Sequence, residues 1–439
     1  MSLLDFIEGD GPGWTRIGDL YEVTRKPRGL DLSSFETIPF APMEAIPQGG
    51  VYSPDYVQKV PGTITSGTYF ERGDLLVAKI TPSFENGKQA LTFDLPAPFG
   101  YATTEVIPLR PLKSGQDRRL LFFYLLHPDI RHHVAERMEG STGRQRVPEN
   151  VLLDLPFPEI EQDKQSAIAD ALELIQRTSM AEVRCEEKAR ELKRAAMRTL
   201  FTRGLRGEAQ KETEIGPVPE NWEVVSFGSI RERLQYGTST RCTYEPDGLP
   251  VLRIPNIDPG RVNASDLKFA KLPDEEANRY KLEDGDLIFI RTNGVLERLG
   301  SCAVYAGEPT NALFASYLIR AQLDRKKVDP YFAAFFYGSE IGTGIVAGRA
   351  TPAADGKYNL NTGTIDSLPL PLPPTLDEQH EVIAILDAID RKIDLHKRKR
   401  AVLEELFKAL LHKLMTGEIR VADLDLSAVA RPKELEAAE

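Results

Sequence analysis

The sequence predicts an α+β protein made of one unit repeated twice, each unit being a mixed globular domain followed by a long helix. Two long stretches contain no proline or glycine, which indicates helices well above the usual length of about 11–12 residues. Short apolar runs separated by proline- and glycine-rich turns, typical of β-strands, precede each long stretch. The same order of segments occurs in both halves of the 439-residue chain.

The first long stretch runs from about Glu161 to Arg203, and Gly204 follows it where a helix C-cap glycine belongs. The second covers residues 376–416 and is followed by Gly417. At ~1.5 Å per residue, each would form a rod about 60 Å long. A helix of this length does not fit inside one small globular domain, which indicates a spacer or scaffold.

The repeat can be followed residue by residue. The segment FERGDLLVAKITP corresponds to KLEDGDLIFIRTN, so that Asp74 corresponds to Asp286 at an offset of 212 residues. Gln165, near the start of the first long helix, corresponds to Gln379 at an offset of 214 residues. A period of roughly 210 residues is too long for a solenoid and indicates duplication of a whole unit.

The two long helices are expected to bury their apolar faces against each other, because their apolar residues follow the spacing of a coiled coil. In the second helix this face consists of Leu386, Ile389, Ile393, His396, Arg400, Leu403, Phe407, Leu410 and Leu414. The weaker face of the first helix consists of Leu172, Ile175, Ser179, Ala189, Ala196 and Leu200. We therefore expect an antiparallel, coiled-coil-like pair, with the two globular domains related by a pseudo-two-fold axis. Alternatively, each long helix packs on its own domain.

The expected boundaries follow from these segments. They are 1–158 for the first globular domain, 159–205 for the central helix, 206–373 for a linker and the second globular domain, 374–418 for the C-terminal helix and 419–439 for a polar tail.

Composition and motifs exclude several functional classes. No apolar run approaches the ~20 residues of a membrane span, and the N-terminus does not resemble a secretory signal, so we expect a cytoplasmic protein. The three cysteines, at positions 185, 242 and 302, lack the spacing of metal or redox sites. The sequence contains no P-loop, no GxSxG elbow and no Asn-Pro-Pro-aromatic motif of adenine methylation, so no catalytic, cofactor-binding or metal-binding residue is proposed.

Polar side chains occur at equivalent places in the two halves and point to DNA. The net charge of −11 argues against general coating of nucleic acid, but it leaves room for local basic surfaces. Arg, Gln, Asn, Ser and Thr read base edges, whereas Lys and Arg also hold phosphates. The candidate DNA-binding residues are Lys79, Thr81, Lys88, Ser141, Thr142, Arg144, Gln145, Arg146, Arg291, Thr292, Asn293, Arg298, Arg349, Thr351, Lys357, Tyr358 and Asn359.

Several motifs together resemble those of the specificity subunit of type I restriction–modification systems. They are the twin GDL[LI] strands at 73–76 and 285–288, the helix entries VPENVLLDLPFPEIEQDKQ and LNTGTIDSLPLPLPPTLDEQHEV, and the helix exits LFTRGLRGE and LMTGEIRV. The first entry departs from the pattern, with EIEQDKQ where the second has LDEQ. The resemblance extends from about Trp14 to Val421.

This resemblance implies a non-catalytic subunit with two target recognition domains, each reading one half of a bipartite sequence in double-stranded DNA. The helix pair would fix the spacer and dock two modification subunits, which carry S-adenosylmethionine and methylate adenine. A restriction subunit using ATP and Mg²⁺ would join them, and this chain would hold no cofactor. Two other classes stay open: a solitary DNA-binding or assembly adaptor of another phage-defence or regulatory complex, and an enzyme in its own right.

Overall fold

The computed structural model describes residues 13–48, 53–141, 143–353 and 356–429, which form an α+β fold. The α-helices are α1 Ile17–Leu20, α2 Arg118–Tyr124, α3 Pro128–Ala135, α4 Glu149–Leu153, α5 Gln162–Arg203, α6 Asp274–Tyr280, α7 Pro330–Tyr337, α8 Glu340–Gly348, α9 Thr362–Asp366 and α10 Leu376–Met415. Short 3-10 helices occupy Leu32–Ser34, Met43–Ala45, Pro61–Thr63, Phe227–Ser229, Ile254–Asn256, Leu296–Arg298 and Val421–Asp423.

The two long helices have the lengths that the sequence predicts. Helix α5 has 42 residues and α10 has 40. Gly204 and Gly417 lie just beyond their ends with φ of +63° and +72°, a left-handed conformation that glycine adopts without strain. In the described part of the chain, no helix is long and apolar enough to cross a membrane.

The chain divides into two compact units, and each contains one half of each long helix. Unit 1 takes the described residues up to Val183 together with those from Lys397 onward, and unit 2 is Arg184–His396. The core of unit 1 accordingly contains Leu172 of α5 and Leu410 of α10. The alternative in which each long helix packs only on the domain before it is therefore wrong.

Within unit 1, the two long helices run antiparallel, as expected. Lys399 Nζ of α10 lies 3.6 Å from Glu182 Oε1, near the end of this unit's part of α5. A hydrogen bond with Glu161 raises the pKa of Lys164, near the start of α5, and the charge of Arg420, which follows α10, opposes this rise slightly. Early residues of one helix thus lie beside late residues of the other.

The globular part of unit 1 contains two four-stranded sheets. The first has the order β2-β9-β6-β7 and is antiparallel throughout, and the second has the order β4-β3-β8-β5 with a parallel β3–β8 pair. Strand β1 pairs with β12, and β10 with β11 forms a hairpin. The strands are β1 Trp14–Arg16, β2 Tyr21–Val23, β3 Ile38–Ala41, β4 Val57–Lys59, β5 Thr68–Glu71, β6 Leu75–Ala78, β7 Gln89–Leu91, β8 Phe99–Ala102, β9 Val106–Pro111, β10 Glu139–Ser141, β11 Arg144–Arg146 and β12 Pro156–Pro158.

Unit 2 repeats this topology and extends one sheet. Its strands are β13 Gln210–Thr213, β14 Gly216–Pro219, β15 Glu223–Ser226, β16 Arg231–Tyr236, β17 Leu249–Leu252, β18 Ile257–Asp258, β19 Gly260–Val262, β20 Lys268–Ala270, β21 Leu287–Ile290, β22 Thr292–Asn293, β23 Cys302–Val304, β24 Leu313–Phe314, β25 Leu318–Leu323, β26 Thr351–Pro352, β27 Tyr358–Asn359 and β28 Pro369–Leu372. The order β16-β25-β21-β23 matches β2-β9-β6-β7, and β19 and β18 continue the sheet. The strands β20-β17-β24 match β4-β3-β8, which confirms the duplication.

The Gly-Asp pair of each GDL segment forms a turn, and the strand that follows it enters the core. Asp74 Oδ2 accepts a hydrogen bond from the Glu71 amide at 2.7 Å, and Asp286 Oδ2 accepts one from the Glu283 amide at 2.8 Å. The glycine before each aspartate has φ of +86° or +85°. Strands β6 and β21, which follow these turns, are buried along their whole length.

A buried glutamine joins the start of each long helix to the globular part of its own unit. Gln165 Oε1 accepts from the Asp117 amide at 3.0 Å, and Gln379 Oε1 accepts from the Asp329 amide at 2.8 Å. Gln379 Nε2 also donates to Lys327 O at 2.9 Å. The two glutamines are 4% and 1% exposed, so water cannot replace these hydrogen bonds.

Replacing Gln379 by alanine is expected to lower the free energy of unfolding by about 2 kcal/mol, because Gln379→Ala removes two hydrogen bonds made by a buried side chain, to the Asp329 amide and to Lys327 O. Chemical denaturation of the full chain measures the change. Gln210→Ala is the matched control, since the Gln210 amide donates to Thr202 O in an exposed position. An equal loss in both variants would contradict the role assigned to burial.

Candidate nucleic-acid interface

In unit 1, two polar segments that are distant in sequence come together where strand β6 ends. The Val147 amide donates to Lys79 O at 2.8 Å, and the Thr81 amide donates to Gln145 O at 3.0 Å. The segment after β6 therefore pairs with the second strand of the β10–β11 hairpin. The Thr81 hydroxyl also donates to Glu85 Oε1 at 2.9 Å. We call this surface the unit 1 hairpin face; it consists of Lys79, Thr81, Glu105, Ser141, Arg144, Gln145 and Arg146.

Two carboxylates lie beside the cations of this face: Glu139 is exposed opposite Arg146 in the hairpin, and Glu105 accepts hydrogen bonds from Arg146. Arg146 donates from Nε and Nη2 to the two carboxylate oxygens of Glu105, at 2.8 and 2.6 Å. This hydrogen bonding with Arg146 holds the pKa of Glu105 below its usual range, and the charges of Lys79 and Arg144 act in the same direction. The Lys79 amide donates to Glu105 O at 2.9 Å, which brings the strand end and the carboxylate together. The face is thus basic around a partly buried acid.

The other candidates of unit 1 differ in how accessible they are. Ser141 and Arg144 are exposed and lie opposite each other in the hairpin. Lys88 is partly buried, and its Nζ donates to Met43 O at 2.9 Å, so this ammonium already has an internal partner. Thr142 lies outside the described residues.

Unit 2 has the same backbone arrangement in the corresponding place. The Leu360 amide donates to Arg291 O at 2.7 Å, which matches the bond between Val147 and Lys79. Strand β22, formed by Thr292 and Asn293, pairs with β27, and β27 pairs with β26. We call this surface the unit 2 hairpin face; it consists of Arg291, Thr292, Asn293, Tyr317, Thr351, Lys357, Tyr358 and Asn359.

Arg291 is held differently from the cations of unit 1. Its guanidinium lies 4.8 Å from the centre of the Tyr236 ring, and its Nη1 donates to Ser316 O at 3.3 Å. The Arg291 amide donates to Tyr317 O at 3.1 Å, so Tyr317 takes the backbone place of Glu105. The Tyr317 side chain is 56% exposed. The two hairpin faces therefore share a backbone and differ in the chemistry at their centres.

The remaining candidates of unit 2 lie on or near its hairpin face. Thr351 and Lys357 are exposed, whereas Tyr358 and Asn359 are half-buried. Arg349 is half-buried and follows the end of α8. Arg298 is exposed in the 3-10 turn after β22.

Sequence reasoning missed two residues of these faces, Glu105 and Tyr317, and also Tyr236, whose ring lies against Arg291. The sequence does indicate that Glu105 and Tyr317 are equivalent, because the segments GYATTEVIPLRP and LFASYLIRAQL occupy the same place in the two repeats. The correspondence does not reveal that this position lies against the end of the neighbouring strand. Tyr236 is the last residue of β16, and its contact with Arg291 depends on tertiary structure alone.

Among the described residues, one group offers three potential metal ligands: His127, Asp129 and His412. His127 Nδ1 accepts a hydrogen bond from the Asp129 amide at 3.2 Å, so the neutral ring carries its proton on Nε2. His127 Nε2 lies 3.3 Å from His412 Nδ1, and the two rings thus share a hydrogen bond. Burial lowers the pKa of His127 to about 4, which keeps the ring neutral. Both nitrogens of His127 have hydrogen-bond partners, and its side chain caps the start of α3.

A family model describes the second half of the chain. Residues 219–405 match the type I restriction modification DNA specificity domain. This range includes the unit 2 hairpin face and the first part of α10.

Curated relatives extend the similarity beyond that domain. The chain is 27% identical over 277 residues to the EcoKI specificity subunit of Escherichia coli K12, covering 61% of this chain and 58% of that subunit. It is 24% identical over 335 residues to the MjaVIII specificity subunit of Methanocaldococcus jannaschii, covering 74% and 76%. The chain spans about half the length of several curated relatives that it matches.

A solved structure on the assembly and conformational transition of the type I restriction–modification system shows the same fold. It aligns with a TM-score of 0.57 at 16% identity, covering 93% of this chain and 99% of that chain. The family model and the relatives thus show that the chain is similar to the specificity subunits of type I restriction–modification systems, and the solved structure shows that it shares their fold.

Proposed function

We propose that this chain is the DNA-reading, non-catalytic subunit of a type I restriction–modification complex and that each unit reads one half of a bipartite target. The observation that carries the proposal is the duplicated hairpin face. In each unit, the same backbone hydrogen bond joins a cationic strand end, Lys79 or Arg291, to a polar hairpin. Two such faces in one chain suit two separate half-sites.

The hairpin of unit 1 has the shape and chemistry that a DNA groove requires. A two-stranded β-ribbon fits into the major groove, where base edges can be read. Lys79 and Arg144 supply charge for phosphates, whereas Gln145 and Arg146 supply hydrogen-bond donors for bases. Because the whole chain carries a net charge of −11, its attraction for DNA is confined to such local faces.

The segments 1–158 and 206–373 are proposed as the target recognition domains. The helical segments 159–205 and 374–418 are proposed to set the spacer between the half-sites and to bind the modification subunits. The chain binds double-stranded DNA and two modification subunits in the cytoplasm. Those subunits supply S-adenosylmethionine and methylate adenine, and a restriction subunit supplies ATP-dependent, Mg²⁺-dependent cleavage. This chain itself contributes recognition and holds no cofactor.

Gln145→Ala is expected to weaken the reading of one half-site only, because Gln145 lies on the unit 1 hairpin face and is assigned to base edges. Comparing the methylomes of cells with and without the gene first defines the bipartite target. Equilibrium binding is then measured with duplexes altered in either half. Arg144→Ala, which removes a phosphate contact, should instead weaken binding to all these duplexes alike and reduce the slope of its salt dependence by about 1.

Asn359→Ala, on the unit 2 hairpin face, is the matched variant and should affect the reading of the other half-site. Effects on both half-sites, or on neither, would show that the assignment of one half-site to each unit is wrong.

Inserting four residues into both α5 and α10 is expected to lengthen the preferred spacer by about two base pairs. Four helical residues add ~6 Å, and ten base pairs of DNA span about 34 Å. Selection of bound duplexes with variable spacers measures the change. The matched control replaces four exposed residues of each helix without changing its length. An unchanged spacer in the insertion variant would exclude the ruler role.

The purified chain is expected to transfer no methyl group to DNA when it is supplied with S-adenosylmethionine alone. Incorporation of labelled methyl groups should begin only after modification subunits are added, because the chain lacks the Asn-Pro-Pro-aromatic motif. Methylation by the chain alone would identify it as an enzyme. DNA binding without any association with modification subunits would favour the solitary adaptor.

A further inference from the structure

Glu105 is an unexpected residue for a surface that attracts DNA. Its carboxylate lies next to Lys79, Arg144 and Arg146, and its side chain is 22% exposed. A carboxylate on such a surface repels phosphates and therefore weakens sequence-independent binding. Its presence suggests a benefit other than affinity.

The hydrogen bonds of Glu105 use one edge of the Arg146 guanidinium and leave the other edge open. Nε and Nη2 bond to the carboxylate, whereas Nη1 makes no hydrogen bond within the described part of the chain. Arginine has five N–H donors, so the edge formed by Nη1 and the second hydrogen of Nη2 stays available. The Arg146 side chain is 50% exposed, which lets this edge reach a ligand.

The open edge has the geometry that reads guanine. A guanidinium donates two parallel hydrogen bonds to guanine O6 and N7 in the major groove, and no other base offers this pair of acceptors. An arginine that is already held in place loses less side-chain freedom on binding than a mobile one. Pairing with Glu105 also offsets the charge of Arg146, so a phosphate attracts this side chain less than it would attract a free arginine.

We infer that Glu105 determines specificity as a positioning residue: it orients Arg146 to read a guanine in the half-site bound by unit 1. The inference rests on the proposed function and adds a base identity to it. Lys79 and Arg144 remain the sequence-independent contacts. The Glu105 carboxylate thus weakens sequence-independent binding of DNA and strengthens the preference for guanine.

Unit 2 lacks this arrangement, although its backbone is the same. Tyr317 stands where Glu105 stands, and Asn359, which precedes Leu360 as Arg146 precedes Val147, stands where Arg146 stands. The guanine-reading device is therefore assigned to unit 1 alone, and the two half-sites are expected to differ at the corresponding position.

The experiment compares the full chain, assembled with its modification subunits, with the variants Glu105→Gln, Arg146→Lys and Glu22→Gln. Glu22 is the matched control, because it accepts from Arg110 Nε at 2.8 Å across β2 and β9, in a pair similarly placed between strands. Each protein selects duplexes from a library randomised over the target. Its binding to one unrelated duplex is measured separately at fixed salt.

The wild-type chain should select guanine at one position of the unit 1 half-site. Glu105→Gln should reduce that preference about tenfold, since a bidentate base contact is lost. The same variant should bind the unrelated duplex roughly threefold more tightly, because one negative charge is removed. Arg146→Lys should lose the preference with little change in binding to the unrelated duplex, and Glu22→Gln should behave as wild type.

A guanine preference that survives in Glu105→Gln or in Arg146→Lys would overturn the inference. So would a Glu105→Gln variant that binds the unrelated duplex more weakly, because that result indicates a merely structural role. If Glu105→Gln does not fold, Arg146→Lys decides alone, since it keeps a cation beside Glu105. A wild-type chain that selects no sequence at all would instead contradict the proposed function.

Discussion

The hydrogen bonds of two buried glutamines determine how each unit is assembled. Gln165 and Gln379 lie in the first turns of the long helices and bind backbone amides at the start of α2 and α7. Because the two glutamine side chains are buried, these hydrogen bonds are shielded from water, and they fix the start of each long helix against its domain. These hydrogen bonds hold the globular part of each unit, with its sheet and hairpin face, to the start of the long helix. They therefore determine how accurately each hairpin face is positioned relative to that helix.

Sequence periodicity predicted the long helices, their glycine ends and the duplication, because these features depend on local spacing. The apolar face of α10 was also predicted: Leu386, Ile393 and Leu410 are buried. Periodicity did not predict that the segment after β6 pairs with the β10–β11 hairpin, since that pairing is set by tertiary packing. For the same reason Glu105 was missed, although its correspondence with Tyr317 was present in the sequence.

The two units show how the side chains of a duplicated fold can diverge while its backbone arrangement is kept. Strands β6 and β21 are buried along their length, so substitutions there leave cavities or strain. The position just before the neighbouring strand, β9 or β25, is less buried, and it holds Glu105 in one unit and Tyr317 in the other. Side-chain chemistry can therefore change at the hairpin face while the backbone hydrogen bonds persist.

The discontinuity of unit 1 has a consequence for biosynthesis. Unit 2 is one continuous segment, Arg184–His396, whereas unit 1 needs the residues from Lys397 onward. While the ribosome is still making the second half of the chain, the apolar side chains of the first unit that contact Leu410, Leu411 and Leu414 have no cover. Although its first residues emerge from the ribosome earliest, unit 1 is completed last. Until α10 emerges, the nascent chain exposes apolar side chains that chaperones can bind.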